Sequence, residues 1–215
     1  MLFRLFRYRH IYIPLLLLWV VGLILISNTF KGQEVLYVET HRNHFWNAIF
    51  GSVTQLAEFP VYAIIVVLLW LSNRREKALT VMIAGLITIF VSGGFKEIFQ
   101  EPRPAKYFET TNPAIELPAV PGIALHRGRN SYPSGHSMGA FTLFVTLGYL
   151  WPRQRIFGVL CVMTAATVAF SRIYLGQHFL TDIVAGSLVG TYIASFSYFV
   201  IFKKILKIKT KKHLT

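Results

Sequence analysis

Apolar residues along this chain come in long runs separated by short polar breaks. A helix needs about 20 mostly apolar residues to cross a bilayer. Six stretches reach or approach that length, some only with their polar ends included: 11–30, 55–72, 78–96, 137–151, 155–171 and 182–202. Lipid offers no hydrogen-bond partner to exposed backbone, so such stretches are predicted to be helices. The pattern predicts an all-α integral membrane bundle of six transmembrane helices, with residues 1–215 forming one membrane-embedded domain. The fourth and fifth spans are short. The first run follows Arg4, Arg7 and Arg9, as a signal peptide would. Leu25-Ile26-Ser27-Asn28 offers no small-x-small cleavage site, however, so an uncleaved first span is expected.

Composition excludes the other classes. Of the 215 residues, 54% are hydrophobic and 14% charged, against about 25% charged in a typical soluble domain. A soluble globule could not hide that much apolar surface, and a disordered chain would be far more polar. Charge adds an orientation. With the N-terminus cytoplasmic, the cytoplasmic pieces are the N-terminal tail, Asn73–Lys77, Pro152–Arg155 and the C-terminal tail. They hold 14 of the 22 Lys and Arg but, of the acidic residues, only Glu76. The positive-inside rule then predicts N-in and C-in, with the whole net charge of +13 on one face. These basic residues flank spans and form no nucleic-acid motif, so the expected partner is the phospholipid bilayer, not nucleic acid. The tail from Lys203 to Lys212 either lies on anionic headgroups or is a solvated stop-transfer tail. Trp19, Trp46, Trp70, Trp151 and the tyrosines fall mostly near span ends, as an interfacial belt does. Cys161 is the only cysteine, which excludes a disulfide framework and a Cys-based metal site.

Three segments on the opposite face carry the candidate chemistry: 96–104, 133–136 and 171–182. They read Lys96-x6-Arg103-Pro104, then Pro133-Ser134-Gly135-His136, then Ser171-Arg172-x5-His178-x3-Asp182. This order resembles the three-part signature of the type 2 phosphatidic acid phosphatase superfamily. These are membrane lipid phosphatases related to soluble vanadium haloperoxidases and acid phosphatases. All eleven specified positions match. The predicted topology puts all three segments after span three or span five, on one face, so a single site can contain them.

The resemblance implies a phosphatase that uses neither metal nor cofactor. Cleaving a phosphate ester that way requires fixed positive charge, a nucleophile and an acid for the leaving group. Lys96, Arg103 and Arg172 are expected to bind the phosphoryl oxygens, Arg as a planar fork and Lys as a point charge. Ser134 and Gly135 open the fourth span, where a helix N-terminus binds anions; a cap alone is the plainer account of Ser134. His178 is the expected nucleophile, oriented by Asp182 four residues on, through a phosphohistidine intermediate. His136 is then the acid for the leaving lipid oxygen and the base for water. A helix N-terminus lowers a histidine pKa while bound phosphate raises it, and the sequence does not say which prevails at His136.

Other polar residues rank lower. Glu58 is read as a helix-end or ion-pairing residue, and His41, Arg42 and His44 as solvated or interfacial. His126-Arg127-Gly128-Arg129 is read as a solvated loop, with a second phosphate site as the alternative. The expected substrate is a membrane lipid phosphate or diphosphate such as undecaprenyl diphosphate or phosphatidylglycerophosphate. The alternatives are a lipid A 1-phosphatase and a phosphotransferase with the same site; a non-catalytic membrane protein fits poorly with His136, His178 and Asp182 all present. The expected location is a bacterial inner membrane, with the site facing the periplasm or exterior. The sequence carries no sign of oligomeric state.

Overall fold

The computed structural model describes residues 7–206, so Arg4 and the basic tail from Lys207 onward lie outside the described residues. Among the described residues every regular element is helical. The apolar α1 (Arg9–Asn28) is followed by two short helices, α2 (Gln33–Glu39) and α3 (His44–Val53), and a 3₁₀ turn (Thr54–Ala57). Then come α4 (Phe59–Leu71), α5 (Arg75–Phe99) and the short α6 (Pro104–Thr111). After a long irregular segment, α7 (Gly135–Leu150), α8 (Arg155–Tyr174) and α9 (Leu180–Phe196) complete the bundle, and α9 runs on into a π-helical segment (Ser197–Phe202).

Four stretches are long and apolar enough to cross a membrane: Arg9–Asn28, Arg75–Thr111, Arg155–Tyr174 and Leu180–Leu206. A fifth arises if His44–Ala57 and Phe59–Leu71, which meet at a 57° bend, count together. The bend has a local cause. Glu58 is extended (φ −86°, ψ 159°) and Pro60 stands in the first turn of α4, where its missing N–H costs nothing but the helix cannot continue backwards through it. The stretch expected at 55–72 is therefore continuous α-helix only from Phe59 to Leu71.

α7 is the axis of the bundle. At 16 residues it is about 24 Å long, short of the roughly 30 Å hydrocarbon core. It packs on α9 and α8 most extensively and on α5 next. Every face meets another helix, which is why its sequence is apolar all round. In lipid, helices associate through close packing and not through water exclusion, so small residues decide where backbones meet. Gly190 is such a point: a Cβ there would stand 2.4 Å from the Met138 carbonyl oxygen. One turn earlier, a Cβ on Gly186 would stand 2.6 Å from the Ser134 carbonyl oxygen. The contact continues upward, where the Ser137 hydroxyl donates to the Ile183 carbonyl at 2.7 Å and the Ser134 N–H to the Asp182 carbonyl at 3.0 Å. The α7–α9 crossing thereby brings the second and third signature segments together.

Candidate active site

The site is built where α5, α7 and α8 end or begin and the turn before α9 passes between them. His178 is not on α9, which starts at Leu180. The four-residue spacing would put His178 and Asp182 on one helix face only if the helix had begun at His178; it has not, and the turn, not the helix, aims the imidazole. Asp182 is the third residue of α9 and accepts the N–H of Phe179 at 2.9 Å, one half of a capping box. The same oxygen, Oδ2, lies 3.3 Å from His178 Nδ1. It also accepts the Ser131 hydroxyl at 2.5 Å, while that hydroxyl oxygen is 3.3 Å from His178 Nδ1. Ser131 is fully buried and His178 is 1% exposed. Burial pushes the His178 pKa down to about 4, with Arg103 and Arg172 adding to the shift and Asp182 opposing it. The ring is neutral at pH 7, with Nδ1 engaged and Nε2 available.

The cations are held, not floating. Arg103 is 7% exposed; it donates from Nε to Asn130 at 2.7 Å and from one terminal nitrogen to the Gln177 side chain at 3.2 Å. Two backbone bonds, Arg103 N–H to Gly128 O and Ser131 N–H to Glu101 O, both 3.0 Å, pair the segment before α7 with the one before α6. That pairing delivers Asn130 to Arg103 and Ser131 to the His–Asp pair. Arg172, in the last turn of α8, is 6% exposed and donates to the Thr54 hydroxyl at 2.8 Å. Its Nε is buried with no hydrogen-bond partner among the described residues. A buried donor left unpaired costs about 1–3 kcal/mol, so it points to a ligand acceptor. Lys96, in the last turn of α5, forms no ion pair among the described residues and feels both arginines. A Cβ on Gly135 would stand 3.0 Å from Ser92 Oγ and 3.5 Å from Lys96 Nζ, so a side chain here would press on Ser92 beside the ammonium.

Ser134 caps α7, its hydroxyl accepting the Ser137 N–H at 3.3 Å. The first N–H groups of a helix lack intrahelical acceptors, so Gly135 and His136 present theirs beside Lys96. His136 stands just ahead of the apolar stretch of α7. Burial, then Arg172, His178, Lys96 and Arg103, push its pKa down to about 3. Its Nε2 lies 3.8 Å from Glu58 Oε1. Beneath it opens an apolar groove of about 630 Å³ between α4 and α5, with Lys96, Gly135 and His136 at one end and Tyr62, Val66 and Leu86 along it. The eight candidate site residues of the signature thus meet at one end of the bundle, and they can grip a tetrahedral oxyanion next to a neutral imidazole.

Four further residues at the site, Thr54, Asn130, Ser131 and Gln177, have no warning in the sequence beyond the nearness of Asn130 and Ser131 to the second motif and the place of Gln177 inside the third. Arg42 departs from its expected solvated state: it donates to the Tyr174 carbonyl at 2.9 Å and the Pro118 carbonyl at 2.7 Å, tying the outer segments together. His126 is exposed, Arg127 pairs with Glu109 at 3.7 Å and Arg129 reaches the Gln100 carbonyl at 3.5 Å, so these three do not converge. Among the described residues no group of three or more His, Cys, Asp or Glu is placed to hold a metal ion.

Residues 77–206 match the family described as the PAP2 superfamily. The chain is 26% identical over 183 residues to a lipid A 4'-phosphatase of Bacteroides thetaiotaomicron, covering 83% of this chain and 80% of that one. It is 30% identical over 174 residues to an undecaprenyl-diphosphatase of Sulfolobus acidocaldarius, covering 79% and 69%. In fold it is similar to the crystal structure of Aquifex aeolicus LpxE, with a TM-score of 0.67 at 23% identity over 80% of this chain and 98% of that one.

Proposed function

The chain belongs to the PAP2 superfamily, and from that membership we propose that it removes phosphate from a membrane lipid phosphate or diphosphate without a metal. The observation that carries the reading is the junction of the cation cluster with the apolar groove: Lys96, Gly135 and His136 stand at the groove's end. A phosphoryl group would sit among Lys96, Arg103, Arg172 and the first N–H groups of α7, while its hydrocarbon tail lies along α4 and α5.

The steps follow from the groups present. His178 Nε2 attacks phosphorus, Asp182 holding Nδ1 and its proton. The bond from phosphorus to the lipid oxygen breaks, and that oxygen takes a proton from His136. Water then gives a proton to His136 and attacks the phosphohistidine, the P–N bond breaks, and inorganic phosphate leaves with Nε2 restored. Negative charge growing on the phosphoryl oxygens meets preorganised donors, the kind of contact whose removal slows catalysis about 10²–10³-fold. Six spans with both termini cytoplasmic are proposed, α7 serving as a short inner span, which puts the site at the outer face of a bacterial inner membrane.

Undecaprenyl diphosphate or a phosphatidylglycerophosphate-type lipid is the proposed substrate. The likeness to the Bacteroides enzyme favours lipid A phosphate as the second reading. Phosphate release from a panel of these lipids by detergent-purified protein, with chelator present and His178→Ala beside the parent, tests the reaction. Release that persists in His178→Ala, or that stops with chelator, would overturn the mechanism. Transfer of the phosphoryl group to another lipid, with no free phosphate, would make the protein a phosphotransferase.

A further inference from the structure

Glu58 has no place in the proposed reaction, yet it stands beside it. It lies in extended conformation between the 3₁₀ turn and α4, next to Ala57 and Phe59 at the edge of the apolar groove. Its Oε1 is 3.8 Å from His136 Nε2, long for a hydrogen bond but within reach for an ion pair. Among the described residues no other carboxylate approaches His136 that closely. The groups facing His136 are Lys96 from α5, Arg103 at the start of α6, Arg172 from α8, His178 from the turn before α9 and Glu58. The three cations oppose a proton on His136, but the leaving oxygen needs one. A bound phosphoryl group offsets those cations, and Glu58 then holds the one carboxylate, among the described residues, within ion-pair reach of the imidazole.

We propose that Glu58 is a positioning residue for the general acid, its carboxylate orienting the His136 imidazole and keeping it protonated until the P–O bond breaks. Glu58 transfers no proton itself; the imidazolium gives one to the leaving oxygen and regains one from water. This inference rests on the proposed hydrolysis. It also explains why the acid is kept at the groove: the proton is supplied where the lipid departs.

The sign of the pH effect follows. Removing the negative charge lowers the His136 pKa in the substrate complex, so the acid form is lost at lower pH. In Glu58→Gln the alkaline limb of kcat should move down by about one pH unit. Above that limb kcat should fall about tenfold, below it the variant should approach the parent, and KM should not change. A leaving group that departs without a proton should not feel the change.

The experiment compares parent, Glu58→Gln, Glu58→Asp and His178→Ala in detergent across pH. One substrate is an alkyl lipid phosphate and the other p-nitrophenyl phosphate. Loss confined to the alkyl ester, a shifted limb and partial recovery in Glu58→Asp are expected. An unshifted limb, equal loss on both esters or a change in KM alone would overturn the proposal. Release by the parent no greater than by His178→Ala would instead overturn the hydrolase reading, and this inference with it, and it is recognised because the parent itself is inactive.

Discussion

Ser131 has one hydroxyl proton, and the 2.5 Å contact gives it to Asp182 Oδ2. Its lone pairs then face His178 Nδ1 at 3.3 Å, so the imidazole proton has two acceptors instead of one. Ser131→Ala leaves Oδ2 short of a buried donor, worth about 1–3 kcal/mol. If that is felt at the transition state, kcat should drop roughly 5- to 150-fold with KM little changed, and steady-state kinetics on the preferred lipid would check it. His178→Ala should abolish turnover and Asp182→Asn should impair it severely. Because the His178 pKa is pushed down to about 4, the proposed nucleophile stays neutral until pH falls through that value. The acid limb of kcat/KM should therefore lie near pH 4 and not near the ordinary histidine value of about 6.5; a limb at the ordinary value would contradict the burial argument. At this scale the signature residues were legible because their chemistry needs fixed types at fixed spacings. Ser131, Asn130, Gln177 and Thr54 were not, because their partners lie up to 118 residues away in sequence and any polar residue can stand beside a motif.

The elements were legible in part. Run length located α1, α5, α8 and α9, since lipid demands uninterrupted apolar helix. It could not foresee the break at Glu58, where one extended residue and Pro60 turn the chain by 57°. It also could not tell a helix bathed in lipid from α7, which is apolar because helices surround it. The α7–α9 crossing turns on glycine. At Gly190 a Cβ would meet the Met138 carbonyl at 2.4 Å, whereas at Gly94 it would meet nothing within 4 Å. Gly190→Ala should force the helices apart and lower stability by about 1–3 kcal/mol. Gly94→Ala should be neutral or stabilising by up to about 1 kcal/mol through helix propensity. Thermal unfolding of both variants in detergent checks the contrast, and equal behaviour would remove the close-approach argument. A shift of α9 also moves the carbonyl of Asp182 from the Ser134 N–H, so Gly190→Ala should lose activity along with stability.

Over the whole molecule, charge and apolar surface are sorted to opposite purposes. Gly93 lines the groove with open space where a side chain would go. Gly93→Leu should raise KM for a long-chain lipid phosphate and leave a short water-soluble phosphate ester unaffected. The proposed orientation rests on the 14 Lys and Arg assigned to one face, and it is testable because Cys161 is buried. In a Cys161→Ser background, a cysteine at Asn112 should react with an impermeant reagent on intact cells and one at Arg153 should not. The convergence of Lys96, Arg103 and Arg172 around the unpaired Nε of Arg172 also has a thermodynamic side. A tetrahedral oxyanion that binds only the folded chain stabilises it by about 1.4 kcal/mol for each tenfold excess over its Kd. The melting temperature should therefore climb with orthovanadate or inorganic phosphate and stay level with chloride at equal ionic strength. The product of the proposed reaction is then a ligand of the resting protein, and phosphate-rich surroundings would leave it at once sturdier and slower.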